Sequence, residues 1–112
     1  MDRNVTIDGK SCVLRSNALL PRKYRHFFNR DLISDMNKLR DKYRATDGAE
    51  FDAEVFENLT WLMLREAGEQ VGNDPEEWLA SIDDMLQVYS LLPVVVELWG
   101  ASLQTTSTSK KK

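Results

Sequence analysis

Asn4-Val5-Thr6-Ile7-Asp8-Gly9-Lys10-Ser11-Cys12-Val13-Leu14 reads as a β-hairpin. Two runs carrying β-branched residues flank Asp8-Gly9. A two-residue type I′ turn needs positive φ at both central positions, which Asp-Gly accommodates. This turn pairs Ile7 with Lys10 and Val5 with Cys12, so Val5, Ile7, Cys12 and Leu14 share one face. A lone hairpin is marginal in water, so that face must pack against something else. The rest of the chain is patterned for helices, and the expected class is therefore α+β, mostly α. A hairpin at about 4–14 is followed by four to five helices over about 21–104, in one compact domain spanning 1–104.

Pro21 suits the first turn of a helix, where its missing N–H costs nothing. Leu20 before it is a poor cap, so Ser16 or Asn17 can open an earlier turn. In Asp31–Arg44, Leu32, Ile33, Met36, Leu39 and Tyr43 fall on one arc at helical spacing, and Thr46-Asp47-Gly48 ends the pattern. A third helix, about Phe51–Glu69, carries Phe51, Val55, Phe56, Leu59, Leu62 and Met63 on one broad face and stops at Gly68 and Gly72. Asp74-Pro75-Glu76-Glu77 then opens a short helix through Ala80, with Asp74 as cap and Glu77 completing a capping-box pair. Ser81 and Asp84 repeat the arrangement before a last helix, about Ile82–Gln104, which Pro93 should kink. The polar stretch 105–112, Thr-Thr-Ser-Thr-Ser-Lys-Lys-Lys, holds too little apolar surface to offset ordering and is expected to be a flexible tail.

The 112 residues suit a single domain. One cysteine, Cys12, cannot form an internal bridge, which fits a reducing, cytoplasmic setting. No apolar run of about 18 residues is present and Met1-Asp2-Arg3-Asn4 does not open a signal peptide, so no membrane is expected. The net charge of −3 conceals an asymmetry. Residues 1–45 hold eleven Lys/Arg against five Asp/Glu, while residues 46–112 hold four against thirteen. Two such halves can pair within one molecule, pair head to tail between copies, or simply be solvated faces.

Chemistry is hard to place. A nucleophilic triad needs Ser or Cys beside a histidine held by a carboxylate. The single histidine, His26, sits instead between Arg25 and Phe27, and Cys12 lies mid-strand on the face expected to pack. Zinc ligands are missing as a cluster. Glu76/Glu77 and Asp83/Asp84 are adjacent pairs that diverge on a helix, and capping accounts for them. Asp47-Gly48-Ala49-Glu50-Phe51-Asp52 lacks the spacing of a calcium loop. No enzyme, cofactor or metal is expected.

Binding is easier to place. Residues 22–30, Arg-Lys-Tyr-Arg-His-Phe-Phe-Asn-Arg, interleave cations with rings, as single-stranded nucleic-acid binders do. Tyr24, Phe27 and Phe28 are also spaced as a core face, and the pI of about 5.1 argues against a dedicated nucleic-acid protein. A small nucleic-acid-binding regulator is the alternative reading. The preferred partner is protein. Trp61 is expected to project among Glu54, Glu57, Asn58 and Arg65, away from the core arc, with Leu64 one turn along, as an aromatic anchor in a polar rim. The competing reading covers Trp61 with the tail or a neighbouring helix. On the last helix, apolar residues including Trp99 cover most of the circumference, so that helix is either central or in contact with a partner. Trp61, Leu64, Trp99 and Lys110, Lys111 and Lys112 of the tail are the candidate partner-binding residues.

Three stretches, in order, resemble the phage tail assembly chaperone family of long-tailed bacteriophages and prophages. The first is Pro21-Arg22-Lys23-Tyr24-Arg25-His26-Phe27-Phe28-Asn29-Arg30-Asp31-Leu32, after the hairpin. The second is Phe56-Glu57-Asn58-Leu59-Thr60-Trp61-Leu62-Met63-Leu64-Arg65-Glu66-Ala67. The third runs from Glu76-Glu77-Trp78-Leu79-Ala80 through Leu91-Leu92-Pro93 and Glu97-Leu98-Trp99 to the Thr/Ser tail. The resemblance covers nearly the whole chain and rests on order and spacing rather than on one motif. Leu20 departs from the small polar residue expected before the proline. The resemblance implies a protein of the bacterial host cytoplasm that is absent from the mature virion. It would bind and solubilise the tape-measure protein, promote tail-tube assembly around it, contact the tube protein, and self-associate. It also implies a longer product made by ribosomal slippage, for which Lys110-Lys111-Lys112 could be the coding site. Without the resemblance, those lysines are a solubilising tail.

Overall fold

The computed structural model describes residues 1–99, and the expected tail and its lysines lie outside them. Strands β1 (Asp2–Ile7) and β2 (Lys10–Arg15) form an antiparallel hairpin in the expected register, Ile7 opposite Lys10 and Val5 opposite Cys12. Asp8 and Gly9 take φ of 52° and 77°, the left-handed pair a type I′ turn requires. Ile7 and Leu14 are buried, and Val5 and Cys12 are partly so.

Helix α1 (Leu20–Phe28) has Pro21 in its first turn and ends at Asn29, which takes the left-handed conformation. Asn17 opens the preceding turn: its side-chain oxygen accepts from the Leu19 N–H at 3.0 Å. Helices α2 (Leu32–Ala45), α3 (Ala53–Glu66), α4 (Pro75–Ala80) and α5 (Met85–Tyr89) each start at an aspartate, namely Asp31, Asp52, Asp74 and Asp84. Each carboxylate accepts a first-turn backbone N–H, which satisfies one orphan donor and places negative charge at the positive end of the helix. Glu77 reaches back past the cap and accepts from the Asn73 N–H at 3.1 Å, one residue ahead of the position a capping box uses.

Helix α3 is the hub. Val55, Phe56 and the run Leu59 to Leu64 are all buried, so every face of its middle is covered. It packs on β2 along one side and on α1, α2 and α4 elsewhere. Thr60 is tolerated at full burial because its hydroxyl donates to the Phe56 carbonyl at 2.7 Å. Gly68, at φ 90°, turns the chain away after the last turn.

The expected single last helix is two pieces. Asp84, not Ser81, caps α5, and Ser81 instead closes α4 by donating to the Trp78 carbonyl at 2.6 Å. After α5 the chain turns at residues 90–91, and a new helical run covers 92–99. Pro93 therefore starts a helix rather than kinking one. Within a continuous helix its ring would crowd the Tyr89 carbonyl and its missing N–H would leave a gap; in a first turn neither cost arises. The terminal run is tied to the hairpin by Arg3, whose guanidinium donates to Glu97 at 2.5 Å, and α5 by Gln87, which accepts from the Asp8 N–H at 3.1 Å.

Candidate protein-binding surface

The outward placement of Trp61 and Leu64 is overturned: both are interior, at 0 % and 1 % exposure. The physical reason is α1, whose C-terminal rings come across to the face of α3 that the helical arc leaves free. Phe27 and Phe28 meet the Trp61 ring edge-to-face, at 5.1 and 5.9 Å between centroids. The Trp61 indole N–H donates to the Val71 carbonyl at 3.2 Å, so its polar atom is satisfied as well. Arg65 covers the outer side by stacking its guanidinium over Phe27 at 4.7 Å. Trp99 is also buried, at 6 %. In this packing none of the three is an anchor on the surface, and Lys110, Lys111 and Lys112 fall outside the described residues.

The same packing decides what α1 can offer. Tyr24 is buried with its hydroxyl donating to Asp35 at 2.9 Å, and burial, followed by that bond, pushes the phenol well above its ordinary range. Arg30 closes on Asp35 with two bonds at 2.7 and 2.8 Å and holds the carboxyl below the usual range. Phe27 and Phe28 are half-buried. Tyr24 thus faces inward and Phe27 and Phe28 turn toward Trp61, while Arg22, Arg25, His26, Asn29 and Arg30 are the exposed residues of the segment. Leu19, Arg22, Lys23 and His26, at i, i+3, i+4 and i+7, form a basic stripe with an exposed leucine at its head. Among the described residues Arg22, Lys23 and Arg25 make no ion pair, and they line a shallow concavity with His26.

Sequence reasoning missed the exposed apolar site. Met85 and Leu86, at 65 % and 68 %, are the two most exposed large apolar side chains among the described residues. They are adjacent on α5, and Met85 lies on the lip of a groove of about 250 Å³ between α5 and the end of α4. Leu79, Ile82, Val88 and Tyr89 supply the apolar walls, with Glu57 and Asp83 at the edge. Tyr89 donates its hydroxyl to Glu57, which fixes the ring as a wall, and that bond together with burial pushes the phenol up to about 12. The missed signal was Asp84: with the cap placed there, Met85 and Leu86 become first-turn residues of a five-residue helix, too short to bury every side.

A larger cleft of about 410 Å³ separates β2 from the segment following α3, with Cys12, Glu69 and Trp78 among its lining residues. Glu69 accepts from the Val13 N–H at 2.8 Å, which blocks part of the strand edge there. Burial, with Glu69 adding to it, pushes the Cys12 thiol up, the opposite of an activated nucleophile. Among the described residues, no three His, Cys, Asp or Glu side chains are grouped to hold a metal ion, and no helix is long and apolar enough to cross a membrane. No family, curated protein or solved structure matches the chain.

Proposed function

We propose that this chain is a phage tail assembly chaperone: it binds the tape-measure protein, keeps it soluble and promotes tail-tube assembly around it. The observation that carries the reading is the Met85–Leu86 pair beside an apolar groove, on a molecule whose other bulky residues are mostly turned inward. Flexible, unbranched Met is suited to a surface that must accept varied apolar helices. The groove is open on one side with carboxylates at its rim, the form that receives an amphipathic helix. The resemblance along the chain supplies the identity of the client. In the same reading the chain self-associates, contacts tube protein, works in the bacterial cytoplasm and is left out of the finished virion. A longer slippage product belongs to this reading too, and DNA sequence across Lys110–Lys112 with an overlapping −1 frame would support it. The nucleic-acid alternative keeps its cations, but Tyr24 is buried and Phe27 and Phe28 are committed to Trp61, which leaves less ring face for stacking.

The test is co-expression with a tape-measure protein, measuring how much of it stays soluble and co-purifies. Wild type is expected to retain it. The variant Met85→Ser/Leu86→Ser, which alters exposed residues only, is expected to lose about tenfold in affinity, as two apolar anchors at one interface imply. If wild type retains no tape measure, the function is wrong. Equal retention by the variant would move the site away from α5.

A further inference from the structure

Helix α5 has five residues, about 7.5 Å of helix, and so meets little more than one turn of any helix laid across it. Apolar contact over so short a length discriminates poorly, because a methylene more or less in an apolar pocket changes affinity little. The rim of the groove can discriminate. Glu57 and Asp83 line it, one from α3 and the other from the turn between α4 and α5. Glu54 stands one turn before Glu57 on α3, and Asp84 follows Asp83 as the cap of α5. None of the four takes part in an ion pair among the described residues. Glu57 receives the Tyr89 hydroxyl, a neutral donor that supplies no countercharge. Nor do the surroundings: residues 46–99 hold thirteen acidic side chains and the single base Arg65, which is taken by Glu66 and the Phe27 ring. Among the described residues only two ion pairs reach across from the basic first part, Arg3–Glu97 and Lys42–Glu50, both solvent-exposed. The groove is therefore apolar inside and bordered by negative charge that the molecule leaves unneutralised.

We infer that the groove selects its occupant by charge: it takes a helix whose short apolar stripe is bordered by Lys or Arg, and it rejects one bordered by Asp or Glu. Leu79, Ile82 and Met85 receive the stripe. The stems of the bordering Lys or Arg lie along the same apolar walls while their heads reach the carboxylates. A helix with acidic borders would instead set like charges side by side, which excludes it more firmly than any loss of apolar contact. Glu57 and Asp83 are thus the specificity-determining residues of the site. Their charges are partly solvated, so the selection is screened by salt. This rests on the reading of the groove as a helix-binding surface, not on the identity of the client.

Three labelled synthetic helices that share one apolar stripe, bordered by Lys, by Gln or by Glu, test it when titrated with the full chain and followed by fluorescence anisotropy. At about 0.05 M salt the Lys-bordered helix should bind at least about tenfold more tightly than the Gln-bordered one, with the Glu-bordered one weakest, and the differences should shrink at about 0.5 M. Met85→Ser/Leu86→Ser should lose the Lys-bordered helix, which separates binding in the groove from attraction to acidic surface at large. Glu54→Lys/Asp83→Lys alters exposed side chains only and spares the cap at Asp84. It should reverse the order and take the Glu-bordered helix, a gain of binding that misfolding cannot produce. Equal affinity of wild type for the three helices, undiminished binding of the Lys-bordered helix by Met85→Ser/Leu86→Ser, or an unchanged order in a charge-reversed variant with native circular dichroism overturns the inference. Its failure is separable from that of the proposed function. Three helices bound alike by a protein that still retains tape measure leave the chaperone without charge selection, whereas Lys-selective binding with no tape measure retained leaves charge selection without the chaperone.

Discussion

Asp35 carries more of the local structure than any other polar residue described. At 7 % exposure it satisfies the Tyr24 hydroxyl and ties Arg30, the residue that follows the end of α1, to the first turns of α2. Asp35→Asn is expected to cost about 1–2 kcal/mol, because the charge-assisted bonds from the half-exposed Arg30 are weakened and the tyrosine hydroxyl keeps only a neutral acceptor. The bond from Arg30 depresses the carboxyl in the folded state, so the unfolded chain binds that proton more tightly. Its contribution is therefore complete above the unfolded value of about 3.9 and is lost as pH falls below it through the depressed folded value. Urea midpoints taken from neutral pH into acid should show a shallower acid limb for Asp35→Asn than for wild type. Trp61 belongs to the same scale. Trp61→Ala should destabilise by about 3–5 kcal/mol, a large part of what a domain this size has to spare. Any loss of partner binding in that variant would report unfolding, and circular dichroism on the same sample would show it. The sequence left open whether Trp61 is an outward anchor or is covered by a neighbouring helix, because a helical arc counts only neighbours on its own helix; the structure shows the second. The rings that cover it come from α1, brought over by the turn at Asn29 and the Arg30–Asp35 bond.

At the scale of elements, what depends on local chemistry could be read and what depends on assembly could not. The Asp8-Gly9 turn fixed the hairpin register residue by residue, and Asp74 with Pro75 and Glu77 fixed the start of α4, since each involves only groups within a few positions. The last stretch was misread for one reason. A periodic apolar pattern runs straight through Ser90 and Leu91, and periodicity alone does not separate a kinked helix from two helices meeting at a turn. The choice falls to where Tyr89 must sit to reach Glu57, and to Gln87 reaching Asp8. The sequence left open whether the last helix is central; α3 carries Thr60 and several charges, yet its middle is covered all round, because Thr60 bonds its own helix. Pro93 now has a definite role as a helix starter. Pro93→Ala should lower stability by about 0.5–1 kcal/mol through a freer unfolded chain, seen as a lower urea midpoint with unchanged slope.

For the whole molecule, the separation of charge into a basic first part and an acidic second part was plain from the sequence, but its use was not. The fold spends little of it internally, and the apolar half of the candidate site emerged only once α5 proved to be short. Arg3 and Glu97, finally, stand 94 positions apart. At about 5–20 residues per second, a ribosome needs roughly 5 to 20 s to travel from one to the other. During that interval β1 has been made but its last partner does not yet exist. The newborn hairpin must wait with one edge open, held only by its tight turn and later by α3, while the groove-forming segments are still being synthesised. Because α4 and α5 are translated after α1, the basic α1 surface exists on the growing chain before the groove-forming segments do.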